Sequence, residues 1–337
     1  MMKKRDIIVI GSSAGGVYAL QKLVASLPEN LAASIFIVQH LAPGSKSILP
    51  AILSSKGHLT ALHPEDGELI RHGYIYIAPP DFHMLIEGDK ILVKKGPKEN
   101  RFRPSIDALF RSAAYNYGPR VIGVVLTGML DDGTSGMWSV KRLGGLGIIQ
   151  EPEDAQYPAM PANVLEYVKV DYIAPLSEIT SLLSNLSQES IPATASSLKA
   201  ELQKSELERM KLEIDTAALR NAFERGIMEI GELSPLTCPE CHGVLVKLKE
   251  GTLIRYRCHT GHSYQASTLL ASLAESVEMK LWEALKNLEE TVMLLEESAK
   301  EDESNNDIVI AQDLYKKAKI GRERAVKLRE FIFDQGV

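Results

Sequence analysis

A serine, a histidine and an aspartate each follow a predicted strand of this 337-residue sequence. Ser13 lies in the glycine-rich turn 11–16, which contains the pattern G-x-S-x-G. His40 follows the second predicted strand, and an aspartate near 132, in the pair Asp131-Asp132, follows the third. Because parallel strands present their carboxyl ends at one edge of a sheet, we expect the three side chains to lie close together. A nucleophile, a general base and an orienting carboxylate make up a serine hydrolase triad. The chain order Ser, His, Asp differs from that of the α/β-hydrolases, which argues against that fold.

The glycine-rich turn also permits a second chemistry. Glycines between a strand and a helix bring backbone N–H groups and a helix N-terminus close to an anion, as in phosphate-binding sites. The turn lacks the G-x-G-x-x-G spacing, and the second strand ends in Gln39-His40 without the acidic residue that dinucleotide sites use. A non-enzymatic phosphate- or nucleotide-binding module with a zinc-ribbon interaction domain is therefore the alternative to a hydrolase.

All three cysteines lie in one short segment, where C-x2-C is followed by sixteen residues and C-x3-H. Two ligand pairs joined by a hairpin are typical of a zinc ribbon, in which four protein ligands close a structural site. The predicted zinc ligands are Cys238, Cys241, Cys258 and His262. His242 and His259 compete with His262 for the fourth position. Nothing in the pattern indicates the open position of a catalytic zinc.

The elements that carry the triad alternate between short apolar strands and helices, which indicates a parallel α/β sheet. The predicted strands are 6–10, 34–39, 120–126, 147–150 and 171–174, and the predicted helices include 17–27, 106–115 and 134–143. Between them, the segments 74–80, 84–86 and 90–93, with a Gly-Asp turn at 88–89, predict a β-hairpin.

Changes in composition divide the chain into five segments. We predict a catalytic domain over 1–185, a linker over 186–197, a helix over 198–233, the zinc ribbon over 234–266 and an α-helical hairpin over 267–337. Apolar residues spaced three and four apart predict the long helices of the hairpin, with an interruption at the acidic stretch 296–307. We expect this hairpin to form a homodimer, to bind a regulatory partner, or to cap the ribbon.

The charge balance narrows the classes of partner and compartment. Lys and Arg number 38 against 44 Asp and Glu, and the net charge of −6 falls entirely after residue 185. A nucleic-acid partner is therefore not expected. The apolar run 7–10 is too short for an export signal, and no stretch approaches the roughly 20 apolar residues of a membrane helix. With no disulfide framework, we expect a cytoplasmic protein without a membrane span.

Several motifs of the first domain occur together in the order of a known family. They are Ile10-Gly11-Ser12-Ser13-Ala14-Gly15-Gly16, Gln39-His40, Ile77-Ala78-Pro79, Arg103-Pro104-Ser105-Ile106-Asp107, Leu126-Thr127-Gly128-Met129 with Asp132-Gly133, and Met160-Pro161. On these residues the sequence resembles the catalytic domain of the bacterial chemotaxis protein-glutamate methylesterases. The resemblance implies a doubly wound, mainly parallel sheet and a triad of Ser13, His40 and Asp132.

The resemblance also implies a reaction and further parts of the site. Met129 contributes a backbone N–H to the oxyanion hole, and His83, Arg103 and Met160 border the substrate groove. The implied reaction is hydrolysis of glutamyl γ-methyl esters on a methylated, chemoreceptor-like helical protein, and the family can also deamidate receptor glutamines. This chemistry needs no metal or other cofactor, so the predicted zinc is structural.

The sequence departs from the family pattern in two places. The best-known members carry a phospho-receiver domain before the esterase, whereas the esterase pattern here begins at residue 6, so we expect a stand-alone form. Position 131 is Asp where the family typically has Asn, which leaves two adjacent carboxylates. Asp132 aligns with the motif, and Asp131 could exchange roles with it. The ribbon resembles a segment found after the esterase domain in stand-alone methylesterase-like proteins.

Overall fold

The computed structural model describes residues 4–44, 46–192, 202–220 and 223–334. The chain forms two compact units, Met1–Leu269 and Leu270–Val337. The first unit extends well past the predicted boundary at 185, because the elements after residue 202 pack against the α/β fold. Within the described part of the chain, we find no helix that has both the length and the apolar composition needed to cross a membrane.

A parallel sheet forms the centre of the first unit. Its strands are β1 (Ile7–Ser12), β2 (Ser34–Gln39), β3 (Thr60–Leu62), β4 (Tyr74–Ile77), β7 (Val121–Val125), β8 (Leu146–Gln150) and β9 (Tyr172–Ala174). They lie in the order β3-β4-β2-β1-β7-β8-β9, and every pairing is parallel. The chain winds to one side of β1 and then to the other, which opens a crevice at the carboxyl ends of β1 and its neighbours.

Helices cover both faces of this sheet, so its strands are buried on both sides and read as apolar runs. The helices are α1 (Gly16–Ala25), α2 (Leu49–Lys56), α3 (Ile106–Tyr117), α4 (Thr134–Arg142), α5 (Ala159–Tyr167) and α6 (Leu176–Gln188). In β1, Ile7 and Val9 pack into the core that faces α3 to α5, whereas Ile8 and Ile10 pack into the core that faces α1, α2 and α6. The predicted doubly wound α/β fold is confirmed.

The predicted β-hairpin is formed by β5 (His83–Glu87) and β6 (Lys90–Lys94), which pair antiparallel. The preceding segment differs from the prediction, because Tyr74–Ile77 forms β4 and joins the parallel sheet next to β2. Its alternate residues fill the two cores, and Ile75, Tyr76 and Ile77 are fully buried. The hairpin therefore begins only at His83.

A small antiparallel sheet follows the α/β fold in the first unit. Helix α7 (Lys204–Ala217) leads to β10 (Glu232–Thr237), β11 (Val244–Glu250), β12 (Leu253–Cys258) and β13 (Ser263–Gln265), which lie in sequence order; we call β10–β13 the small sheet. The predicted helix over 198–233 is thus too long. It ends at Ala217, Leu219 takes a left-handed φ of 63°, and Glu232 already pairs with Lys247. The predicted linker starts inside α6, and its residues from 193 onward lie outside the described residues.

The second unit contains most of α8 (Ala266–Ser304) and helix α9 (Ile308–Asp334). Within it, Leu285 packs with Ala325 and Ile332, and the Trp282 ring meets Phe333 edge to face at 6.0 Å. These contacts form the predicted helical hairpin. The predicted interruption over 296–307 is wrong up to Ser304, because the helix continues through the acidic residues, and Glu296 accepts a hydrogen bond from Arg322 of α9.

Candidate active site

The turn that carries Ser13 depends on glycine at two positions. Gly15 has a left-handed φ of 75°, and at Gly16 a Cβ would lie 2.1 Å from Gln39 Oε1. The Ser13 N–H donates to Thr127 O at 3.0 Å, which ties the turn to the loop after β7. Because α1 begins at Gly16, Ser13 lies just before a helix N-terminus at the sheet edge.

His40 directly follows β2 and links the serine to the aspartate. Its Nδ1 lies 3.2 Å from Ser13 Oγ, and its Nε2 lies 2.9 Å from Asp132 Oδ2. An ionised carboxylate can only accept, so Nε2 carries the proton and the Nδ1 lone pair faces the serine hydroxyl. The imidazole therefore uses its two nitrogens in the opposite sense to the chymotrypsin triad. Phe102 stacks on the ring, with centroids 3.7 Å apart.

Asp132 is fully buried and receives donors on both carboxylate oxygens. Asn100 Nδ2, Ser105 Oγ and Asp107 N donate to Oδ1 at 2.9, 2.9 and 3.2 Å, while His40 Nε2 and Ile106 N donate to Oδ2 at 2.9 and 2.7 Å. Burial alone would raise the pKa of Asp132, but the hydrogen bonds from His40, Asn100 and Ile106 hold it below its ordinary value. The carboxylate is thus ionised and fixed in orientation beside His40.

The neighbouring Asp131 points to different partners. Its carboxylate accepts a hydrogen bond from the Ser267 hydroxyl, and its other oxygen, Oδ1, is buried without a hydrogen-bond partner. Burial and the nearby Asp132 charge raise the pKa of Asp131 to about 6, against the lowering effect of Ser267. The two adjacent carboxylates therefore have different environments, and it is Asp132 that contacts His40.

The loop that carries Met129 approaches the serine closely. A Cβ placed on Gly128 would lie 2.9 Å from Ser13 Cβ, so only glycine allows this approach. The Gly128 N–H donates to Tyr157 O at 3.0 Å and is therefore occupied. The next peptide N–H in the loop belongs to Met129, whose side chain is 54% exposed. The backbone N–H of Met129 therefore remains the predicted donor to the oxyanion.

A cleft of about 470 Å³ opens beside the serine and histidine, and it is lined by Ser13, Ala14, His40, Pro43, Asp81, Phe102, Arg103 and neighbouring residues. Arg103 borders it as predicted and donates from Nε to Asp81 Oδ1 at 2.9 Å. His83 and Met160 do not, because both are fully buried. His83 donates from Nε2 to Pro97 O at 2.8 Å and accepts from Ser105 N–H, so it holds the loop below the site. Met160 packs beneath Gly128.

Two residues of this site were not predicted from the sequence. Asn100 bridges the carboxylates of Asp132 and Asp107, with Nδ2 distances of 2.9 and 2.7 Å. Phe102 covers one face of His40. Both residues lie just before the Arg103–Asp107 motif, and this position in the sequence is the feature that could have indicated them.

The three cysteines and His262 converge in the small sheet. Their candidate ligand atoms all lie within 4.8 Å of one another. The separations are 3.7 Å from Cys238 Sγ to His262 Nδ1, 3.6 Å from Cys258 Sγ to His262 Nδ1 and 3.5 Å from Cys241 Sγ to Cys258 Sγ. Zinc–sulfur bonds of about 2.3 Å in a tetrahedron give edges of about 3.8 Å, so this donor set is compatible with a zinc ion. His259 instead meets the Phe223 ring.

Known proteins match the part of the chain that carries Ser13, His40 and Asp132. The family described as CheB methylesterase matches residues 8–183. A Leptospira interrogans protein named putative protein-glutamate methylesterase/protein-glutamine glutaminase is 38% identical over 187 residues, which cover 55% of this chain and 97% of the relative. A Thermotoga maritima protein named protein-glutamate methylesterase/protein-glutamine glutaminase is 39% identical over 184 residues, or 53% of this chain and 54% of the relative.

A solved structure gives the same result. The crystal structure of the Thermotoga maritima CheB methylesterase catalytic domain is similar with a TM-score of 0.52 and 38% identity, and it covers 55% of this chain and 100% of that domain. The chain spans about half the length of the Thermotoga relative but almost all of the Leptospira one. Because the family match covers residues 8–183 and the fold is shared, the chain belongs to the CheB methylesterase family.

Proposed function

We propose that this protein is a protein-glutamate methylesterase that uses Ser13, His40 and Asp132 as its catalytic triad. The observation that carries the proposal is the continuous hydrogen-bond chain from Ser13 Oγ through His40 to the buried Asp132 carboxylate. The names of the relatives support the same chemistry. A phosphate-binding function is not favoured, because the hydroxyl at the centre of the turn is engaged with His40.

The reaction follows from the direction of these hydrogen bonds. Ser13 Oγ attacks the γ-carbonyl of a methylated glutamate while His40 Nδ1 takes its proton, and Asp132 stabilises the imidazolium through Nε2. The tetrahedral intermediate collapses, and methanol leaves with the proton from His40. Water, deprotonated by His40, then attacks the acyl-enzyme and releases the glutamate side chain. The same steps on a glutamine side chain release ammonia in place of methanol.

The Met129 N–H would stabilise the negative oxygen of both tetrahedral intermediates. A backbone donor at this position contributes roughly 3–4 kcal/mol to transition-state stabilisation. The cleft lined by Phe102 and Arg103 would receive the substrate helix. We infer that the substrate is a methylated, chemoreceptor-like helical protein.

Ser13→Ala tests the proposed function. Methanol release from a methylated chemoreceptor fragment should fall at least about 10⁴-fold, because the nucleophile is lost. Ser26→Ala, at the exposed end of α1, is the matched control and should keep the wild-type rate. Methanol release that survives in Ser13→Ala would refute the esterase assignment.

We further infer that the small sheet holds one structural Zn²⁺ through Cys238, Cys241, Cys258 and His262. Three cysteine sulfurs and one imidazole nitrogen form a donor set that tetrahedral structural zinc commonly uses. The carboxylate of Glu240 lies 3.5 Å from His262 Nε2, where it can orient the imidazole. Bound zinc would supply folding energy to the small sheet and take no part in ester hydrolysis.

Metal analysis tests this site. About one zinc ion per chain is expected in the wild type and none in Cys238→Ser. His242→Ala, which changes a histidine outside the cluster, should keep the ion. A folded, metal-free wild-type protein would overturn the zinc assignment. A cytoplasmic location, a regulatory partner and a homodimer stay predictions.

A further inference from the structure

The loop between β6 and α3 delivers several groups to the candidate active site; we call residues 98–103 the site loop. Asn100 Nδ2 donates to Asp132 Oδ1 at 2.9 Å, and the Phe102 ring stacks on His40. Arg103 borders the cleft. The position of this loop therefore affects both the general base and the carboxylate that orients it.

The last strand of the small sheet holds the site loop by backbone hydrogen bonds. The Asn100 N–H donates to Ser263 O at 2.7 Å, and the Ser263 N–H donates to Lys98 O at 3.2 Å. The Gln265 N–H donates to Asn100 Oδ1 at 3.2 Å. Because the amide oxygen of Asn100 is held on this side, its Nδ2 is directed toward Asp132.

The backbone of the site loop requires such support. Asn100 and Arg101 have φ values of 50° and 73°, so two consecutive residues other than glycine lie in the left-handed region. Asparagine tolerates this region better than most residues, but the conformation costs free energy and persists only where the surroundings fix it. Pairing with Ser263 supplies that constraint.

The same strand also reaches the turn that carries the catalytic carboxylate. Gln265 Nε2 donates to Asp131 O at 2.7 Å, and the contact is fully buried. The Ser267 hydroxyl, two residues later, donates to the Asp131 carboxylate. Residues 263–267 thus contact the peptide chain next to Asp132 on one side and the Asn100 amide on the other.

The candidate metal site lies directly before this strand. His262 is adjacent to Ser263, and the Cys258 N–H donates to His262 O at 3.0 Å, which closes the turn between β12 and β13. Two of the four candidate ligands therefore bracket the turn that leads into β13. An ion held there would fix where β13 begins.

We propose that the small sheet is a positioning element for the esterase triad. Gln265 and Ser263 hold Asn100 and the 131–132 turn, and Asn100 orients Asp132. A metal ion at the candidate site would keep β13 in place. Asn100 and Gln265 are thus positioning residues, because both are buried and act through the Asp132 carboxylate and the turn that carries it. The proposal rests on the proposed esterase function, and it adds that kcat depends on an element about 130 residues distant in sequence from Asp132.

Gln265→Ala, measured in two backgrounds, tests the proposal. In the wild-type background, kcat for methanol release should fall roughly tenfold while KM and zinc content stay unchanged. In an Asp132→Asn background the same substitution should have no further effect, because the carboxylate that it positions no longer acts. Asn100→Gly, which keeps the left-handed backbone but removes the amide, should show the same pattern.

Lys247→Ala, on β11, is the matched control and should leave kcat unchanged in both backgrounds. A Gln265→Ala enzyme that keeps kcat within twofold of wild type overturns the proposal. An equal loss in the two backgrounds also overturns it, since that result indicates a general structural defect. Failure of the proposed function itself would appear separately, as methanol release that survives in Ser13→Ala.

Hydrogen exchange of the full chain gives a readout other than activity. Removal of zinc with a chelator should increase exchange in the peptide covering 98–103, because the Asn100 N–H loses its acceptor on Ser263. Peptides from β1 and β2 should keep their protection, which would show that the α/β fold is intact. Unchanged exchange of the site loop after loss of zinc would contradict the proposed role of the metal.

Discussion

The α/β fold and the small sheet are stabilised by different kinds of contact. Strand β1 is buried along its whole length, and its alternate residues fill two apolar cores. By contrast, the largest fully buried side chains among the described residues are Arg111, Arg255 and Arg257, which meet where the small sheet joins α3 and α7. Apolar burial is non-directional, whereas buried charges require exact partners. The α/β fold should therefore tolerate changes of charge and metal content better than the small sheet does.

The buried charges at this junction balance. Three arginines face three glutamates, with Arg111–Glu99 at 3.1 Å, Arg257–Glu99 at 2.7 Å, Arg255–Glu213 at 2.9 Å and a shorter Arg255–Glu250 pair. Burial would raise the pKa of Glu99, but the charges of Arg111 and Arg257 lower it to about 2. The glutamate is thus ionised, and removal of one arginine would leave an uncompensated charge in the interior.

The largest expected effect is a loss of kcat that far exceeds the accompanying change in stability. Asp132→Asn should lower kcat about 10⁴-fold, because an amide cannot stabilise the imidazolium form of His40. Its free energy of unfolding should fall by only roughly 1–3 kcal/mol, because the amide fills the same volume but turns an NH2 group toward backbone donors that the carboxylate accepted. Steady-state methanol release and calorimetry measure the two quantities. A variant that no longer folds would show that the site and the core cannot be separated in this way.

A smaller effect is expected where the two regions meet. Arg257→Met should destabilise the first unit by roughly 3–5 kcal/mol, since Glu99 and Glu213 lose a buried partner. Urea unfolding measures the loss, and hydrogen exchange should locate it in β12 and β13 before β1. Lys249→Met, at an exposed position of β11, provides the control and should cost less than about 0.5 kcal/mol. An Arg257→Met protein as stable as this control would remove the distinction between the two regions.

The two regions also differ in how far the sequence predicted them. Strand periodicity located β1, β2 and β7, and the rule that parallel strands end at one edge brought Ser13, His40 and Asp132 together. Asn100 could not be assigned in this way, because its partner Gln265 is 165 positions away. Arg255 and Arg257 resemble surface charges in sequence, since alternating polar residues on a strand usually face solvent. Only the packing of α7 and the site loop against β12 explains their burial.

His83 was predicted to border the substrate groove, but the structure buries it. A histidine next to a family motif favours a role in the groove, yet both ring nitrogens are satisfied within the protein, by Pro97 O and Ser105 N. Burial lowers the pKa of His83, so the ring is neutral. A sequence indicates which residues can ionise, but it does not indicate which of them find internal partners.

The smallest expected effect concerns the carboxylate next to the triad. Asp131 is buried near Asp132, and its pKa in the folded protein is raised from 3.8 to about 6. Between these two values the folded state binds more protons than the unfolded state, so this residue makes stability decrease as the pH rises from about 4 to 6. Asp131→Asn removes that titration and should raise the free energy of unfolding by about 1–3 kcal/mol at pH 7 while leaving it nearly unchanged at pH 4.

Unfolding of both proteins in urea between pH 4 and pH 8 measures this difference. Exposed Asp313→Asn is the control and should give parallel pH profiles for variant and wild type. A wild-type profile that does not decrease relative to Asp131→Asn between pH 4 and 6 would contradict the assigned environment of Asp131. If the variant is stabilised as expected and keeps its kcat, then the two adjacent aspartates have different roles: Asp132 is ionised and contacts His40, whereas the buried charge of Asp131 lowers the stability of the fold.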